Sequence, residues 1–168
     1  MIVIYGHELA ALALPNLVEE LPLIINGEKM VVAILAVFLL KKYGRKWMML
    51  RGVFLVFVAL FGLFFGFIMH SPDNQSVQII ILIFFSMYVF GFVLTMGPIT
   101  WLNIPEIVQP PTVTYTTMTN WSFACFIIVV FPMVKDFLGS ATFFIFSLCT
   151  FFFFFMCLYV MVETKDKN

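Results

Sequence analysis

The spacing of charged residues constrains this chain more than any other feature. Arg51 to Asp73 encloses 21 uncharged residues, Asp73 to Glu106 encloses 32, Glu106 to Lys135 encloses 28, and Asp136 to Glu163 encloses 26. A helix crossing the roughly 30 Å apolar core of a bilayer takes about 20 residues, so each interval holds one. The connections "HSPDNQS", "IPEIVQPPT" and "KDFLGS" are short and rich in turn formers. In lipid every backbone polar group needs an internal partner, and strand-like alternation is absent, so these runs predict helices. The expected fold is an all-α integral membrane bundle with helices over 47–69, 78–102, 115–134 and 141–162. A fifth span over 22–40 is interrupted by Glu28 and Lys29, and residues 1–21 read as a partial or interfacial helix.

Composition narrows the function classes. The chain is 63% hydrophobic and 11% charged, and its nine basic and nine acidic residues cancel, which points away from nucleic acid as a partner. Cys125, Cys149 and Cys157 lie in apolar runs without ligand spacing and read as small hydrophobes, so no metal or cofactor is expected. Paired carboxylates, a His cluster and a Ser/His/Asp set are all missing from the pattern, so an enzyme is not expected. The N-terminus "MIVIYGHELA" has no basic start and does not read as a secretory signal.

Orientation follows from "KKYGRKWMMLR", which gathers Lys41, Lys42, Arg45, Lys46 and Arg51. Basic loops stay in the cytoplasm. Counting helices from there places 103–114 and the tail "ETKDKN" on the same side, with a cytoplasmic C-terminus.

Three polar features carry possible chemistry. Glu28 and Lys29, if inside the bilayer, form a costly ionisable pair and hence a functional candidate; at the interface instead, Lys29 snorkels and Glu28 caps its helix. In "GPITWLNIPE", Pro98 removes a hydrogen bond and Gly97 gives room, so the helix should bend near 94–98. Interrupted membrane helices line cavities, where Trp101 offers a ring face to a sugar-like ligand; as an interfacial anchor it would serve position alone. Glu106 ends its helix on the basic side, where pairing with Arg45 or Lys46 makes either a conformational latch or an ordinary surface contact.

"KKYGRK", then "GPITW" with a carboxylate five residues after the Trp, then "TNW", then "FFMCLYVMVETKDKN" resemble, in this order, the C-terminal half of the sugar porter family of the major facilitator superfamily. The resemblance runs from about residue 30 to the end. It implies two pseudo-symmetric halves of six helices, alternating access, and a sugar held between the halves. It implies Trp101, Asn120 and Trp121 at the sugar, with Thr95 and Thr100 as further hydroxyls within this chain, and Arg45, Glu106 and Glu163 in the cytoplasmic charge clusters. Residues 1–21 would be a remnant of a seventh helix, although "IVIYGHELAALAL" holds none of the family's glutamines. Lys41 replaces an acidic residue, Thr100 replaces a proline and should lessen the bend, and Lys29 stands near a position that is usually uncharged. "IVQPPTVTYTTMT" lacks the family's arginine, so Glu163 is expected to lose its partner.

The expected function is a hexose-like sugar transporter truncated to its C-terminal half; the alternative is a non-transporting membrane scaffold or subunit. A site shared between two halves is incomplete in one. The expected partners are therefore the lipid bilayer, a sugar-like small molecule, and a second transporter half or another membrane protein.

Overall fold

The computed structural model describes residues 20–71 and 74–164. The expectation for residues 1–21 thus falls almost wholly outside the described residues. Helix α1 spans Leu21–Lys42, α2 Arg45–Ile68, α3 Gln75–Gly91, α4 Gly97–Ile107, α5 Pro110–Leu138 and α6 Ala141–Val160. A π-helical stretch, Phe92–Met96, joins α3 to α4, so Gln75–Ile107 is one interrupted rod. Among the described residues, five rods are long and apolar enough to cross a membrane.

The connections are tighter than the turn formers suggested. The expected link over 103–114 shrinks to Val108 and Gln109, because α4 continues through Pro105 to Ile107 and α5 starts on Pro110 and Pro111. Prolines in a first turn need no N–H there and have φ already set for a helix, so this pair starts a helix rather than marking a loop. Asn74 caps α3 by accepting from the amides of Ser76 and Val77.

Helix α2 is the centre of the bundle, packed on α3, α6 and the π stretch, while α1 lies against α3 and the π stretch. Val56, Ala59, Leu60 and Leu63 of α2 bury against Val77, Ile81, Phe85, Tyr88 and Val89. The seam between α2 and α6 is a phenylalanine ladder. Phe54 meets Phe154 at 6.1 Å between centroids, Phe57 meets Phe151 at 5.3 Å, and Phe61 meets Phe144 at 6.3 Å. Phe67 stacks on Phe143 at 4.9 Å, so the ladder runs antiparallel. Each aromatic pair contributes about 0.5–1.5 kcal/mol beyond the area it buries. Lipid is as apolar as these side chains, so shape rather than hydrophobicity selects the contact.

One close approach fixes the π stretch. A Cβ at Gly52 would overlap the side chain of Thr95, which is buried and donates its hydroxyl to the Gly91 carbonyl at 2.7 Å. The break in the rod is therefore seated against the middle of the bundle.

Candidate functional site

The basic end holds the densest polar contacts. The first N–H groups of any helix lack an intrahelical acceptor. At α2 the acceptor is remote: Glu163, just beyond α6, takes the Arg45 amide at 2.9 Å on Oε1 and the Lys46 amide at 3.1 Å on Oε2. A carboxylate also suits the positive end of the helix dipole. Gly44 permits the approach, since a methyl there would overlap the carboxylate. With the family's arginine missing, backbone amides are the partners that Glu163 takes instead. Lys46 enters the cluster through its backbone.

Arg45 Nη2 reaches Glu106 Oε1 at 3.2 Å. The Thr164 hydroxyl donates to Glu106 Oε2 and lies 3.2 Å from Asn103 Oδ1. The start of α2, the end of α4 and the segment after α6 are thereby tied together. Sequence reading missed Asn103 and Thr164. Asn103 had a faint signal, because it precedes Glu106 by three residues and so shares its helix face. Arg51 is drawn elsewhere: its guanidinium lies 3.5 Å over the Trp47 ring, which stacks on Tyr43 at 4.8 Å.

The bend expected at 94–98 takes the form of the π stretch. Pro98 has no N–H and its ring crowds the preceding turn. The turn widens, and the Gly97 amide bonds the Phe92 carbonyl five residues back. Such π segments recur at functional positions of helices. Thr100 donates its hydroxyl to the Met96 carbonyl at 2.7 Å, so that proton is already engaged within its own helix.

Beyond the break, Trp101 of α4 and Trp121 of α5 come together with centroids 6.2 Å apart and planes 29° apart. Both rings are exposed, at 43% and 59%. Asn120, also exposed, precedes Trp121. Two aromatic faces beside an amide suit a sugar, whose C–H faces stack on rings while its hydroxyls seek hydrogen-bond partners.

A cavity of about 390 Å³ lies between α2, α4, α5 and α6, walled by Met49, Ile104, Met156 and Cys157. Its threonines, Thr100 and Thr116, both donate to carbonyls of their own helices. Its walls are apolar, unlike the tryptophan pair with its neighbouring amide.

Glu28 and Lys29 fall inside the first span. α1 starts at Leu21, so Glu28 lies too far along it to cap the helix. Lys29 Nζ lies 3.3 Å from Asn26 Oδ1. Among the described residues no group of three or more His, Cys, Asp or Glu is placed to hold a metal.

Known proteins fit this geometry. The family model for sugar (and other) transporter matches residues 5–168. The galactose-proton symporter of Escherichia coli (strain K12) is 30% identical over 152 residues, covering 84% of this chain and 32% of the symporter. The arabinose-proton symporter of Bacillus subtilis (strain 168) is 29% identical over 154 residues, 86% of this chain and 32% of that protein. A facilitated trehalose transporter of Drosophila pseudoobscura pseudoobscura is 30% identical over 141 residues, 80% of this chain and 16% of the transporter. The inward open xylose transporter XylE of E. coli superposes with a TM-score of 0.77 at 20% identity, covering 99% of this chain and 40% of that one. The chain spans a third or less of the length of these curated relatives.

Proposed function

Because this chain belongs to the sugar (and other) transporter family, we propose that it forms one wall of a transport path for a hexose-like sugar, completed by a second, N-terminal transporter half. The observation that carries this reading is the exposed Trp101–Trp121 pair beside Asn120, on helices that follow the break at Gly97 and Pro98. Within it, Trp101 and Trp121 stack on the sugar and Asn120 bonds its hydroxyls. Thr100 shapes the approach to them. The half-exposed rings await a surface that would enclose the sugar from the other side.

The basic end faces the cytoplasm in this reading, and the contacts of Arg45, Lys46, Glu106 and Glu163 close that side of the path. Proton coupling, which the names of the bacterial relatives carry, is one of two modes open to such a path; facilitated flow, as named for the trehalose relatives, is the other. A non-transporting membrane subunit is the second reading, favoured by the apolar walls of the 390 Å³ cavity and by the single buried residue of α5.

Uptake separates the two. The chain is reconstituted in liposomes alone and together with an N-terminal half from a sugar porter, and entry of labelled hexose is followed. Transport requires faster entry than into empty liposomes in at least the second case, with Trp101→Ala raising the half-saturating concentration about tenfold, the equivalent of ~1.4 kcal/mol. Entry at the rate of empty liposomes in both cases supports the subunit instead.

A further inference from the structure

Where α1 turns into α2, Tyr43, Trp47 and Arg51 form a corner that takes no part in the ties between α2, α4 and the segment after α6. Tyr43 and Trp47 stack with centroids 4.8 Å apart and planes 9° apart. Each ring carries a cation: Lys42 Nζ lies 5.5 Å from the Tyr43 centroid, and the Arg51 guanidinium lies 3.5 Å from that of Trp47. Trp47, Arg51 and Phe54 follow one another by four and three residues, so they share one face of α2. All three are exposed, whereas Met49, Gly52 and Val56 on the opposite face are buried in the bundle. The face of Arg51 is the one turned to lipid.

A helix of 24 residues is about 36 Å long against an apolar core of roughly 30 Å, and Arg51 lies about 9 Å along it, so its Cα is inside the core. A lipid-facing charge at that depth is costly. Helical side chains lean toward the N-terminus, and here the lean carries the guanidinium back one turn onto Trp47, toward the headgroups. Stacking occupies the flat face of the guanidinium and leaves its N–H donors around the edge. Among the described residues no carboxylate or carbonyl takes those donors: Arg45 holds Glu106, and the α2 amides hold Glu163.

Charge and depth together identify the occupant. Residues 30–72 include Lys41, Lys42, Arg45, Lys46 and Arg51 and no acidic residue. Glu106 and Glu163, the carboxylates that reach this end, are engaged within the cluster, so positive charge is left in excess beside the stacked rings. A phosphate diester offers acceptor oxygens to a planar fork of donors. Basic groups at a membrane surface favour lipids of net negative charge. A soluble phosphate would make no use of the exposed Phe54 ring below Arg51, whereas acyl chains lie against it. We propose that the Trp47–Arg51 corner binds the phosphate headgroup of an anionic phospholipid, with Lys41 and Lys42 as supporting charge and the acyl chains along Phe54. The inference needs only that the bundle spans a bilayer, and it holds whether or not the chain takes part in transport.

Trp47 reports on its own site. In the chain carrying Trp101→Phe and Trp121→Phe it is the remaining tryptophan. Its fluorescence is followed in phosphatidylcholine vesicles that contain increasing fractions of acyl-brominated phosphatidylglycerol or of acyl-brominated phosphatidylcholine. Half-quenching should need about fivefold less of the brominated phosphatidylglycerol, the equivalent of one basic contact to an anionic lipid. Arg51→Gln should bring the two lipids level, and Arg51→Lys, which keeps the charge without the planar fork, should retain only part of the preference. Comparing the two lipids within each variant cancels any change in the surroundings of Trp47 itself. Equal quenching by both lipids with Arg51 in place would overturn the proposal and leave the guanidinium snorkelling to water alone. A preference that survives Arg51→Gln would overturn it as well, because diffuse attraction by the lysines would then suffice. Loss of the preference in millimolar glycerol phosphate would assign a soluble phosphate instead and equally overturn it.

Discussion

Helices α2 and α5 are both apolar enough to cross a bilayer, yet they occupy opposite roles. α2 buries ten of its 24 residues, and α5 buries one of its 29, Phe131. The difference lies in small residues. α2 carries Gly52, Ala59, Gly62 and Gly66 among its buried positions, where neighbouring side chains reach its backbone. α5 has no glycine and presents Tyr115, Met118, Trp121, Phe123 and Phe126 outward. Hydropathy places both in the membrane, and small residues decide which one becomes the axis of the bundle. Bulky side chains interleaved with Thr112, Thr116, Thr119 and Asn120 leave α5 largely uncovered by the rest of the described bundle.

Added bulk in each of the two helices tests this contrast most severely. In Gly52→Val the new side chain meets Thr95 and forces α2 away from the π stretch. Overpacking of this kind costs about 1–3 kcal/mol. Ser122→Val on the exposed face of α5 adds less bulk, into open surroundings, and should stay within about 0.5 kcal/mol. Thermal unfolding in detergent compares them; similar losses in both would mean that α5 is packed as tightly as α2.

Much of this architecture was legible in the charge gaps, because uncharged runs of that length have few alternatives in lipid. The helix ends were not, since Pro110 and Pro111 look the same in sequence whether they close a loop or open a helix. The break was visible in Gly97 and Pro98, but the seating of its π stretch, Thr95 against Gly52, is a contact between distant segments. The acceptor role of Glu163 was invisible because its partners are backbone amides, which leave no pattern of residue types. Trp101 and Trp121 were individually visible, but only their meeting at 6.2 Å distinguishes a paired wall from two separate anchors.

A smaller effect is expected where the tail meets α2. Glu163→Ala removes the acceptor of two first-turn amides and leaves them without their carboxylate. Loss of a cap costs about 0.5–2 kcal/mol, and Glu163→Gln, which keeps an oxygen but not the charge, should lose less. Unfolding midpoints of the two variants order them. An unchanged midpoint in Glu163→Ala would show that water replaces the carboxylate freely, and that the basic end is closed as loosely as α5 is packed.

The smallest effect belongs to the Arg45–Glu106 pair. Both side chains keep about a fifth to a quarter of their surface exposed, at 21% and 25%, and the contact uses one guanidinium nitrogen while Nε is buried without a hydrogen-bond partner among the described residues. A partly solvated, single-pronged pair is worth about 0.2–1 kcal/mol. Charge reversal at Arg45 and at Glu106, singly and together, should therefore show that much coupling, shrinking as salt rises. In the transport reading such weakness suits a latch, because a contact that opens in each cycle cannot be one of the strong ones. Additive losses would mean that the two charges do not meet, and Thr164 on Glu106 and Asn103, with Glu163 on the α2 amides, would then tie this end.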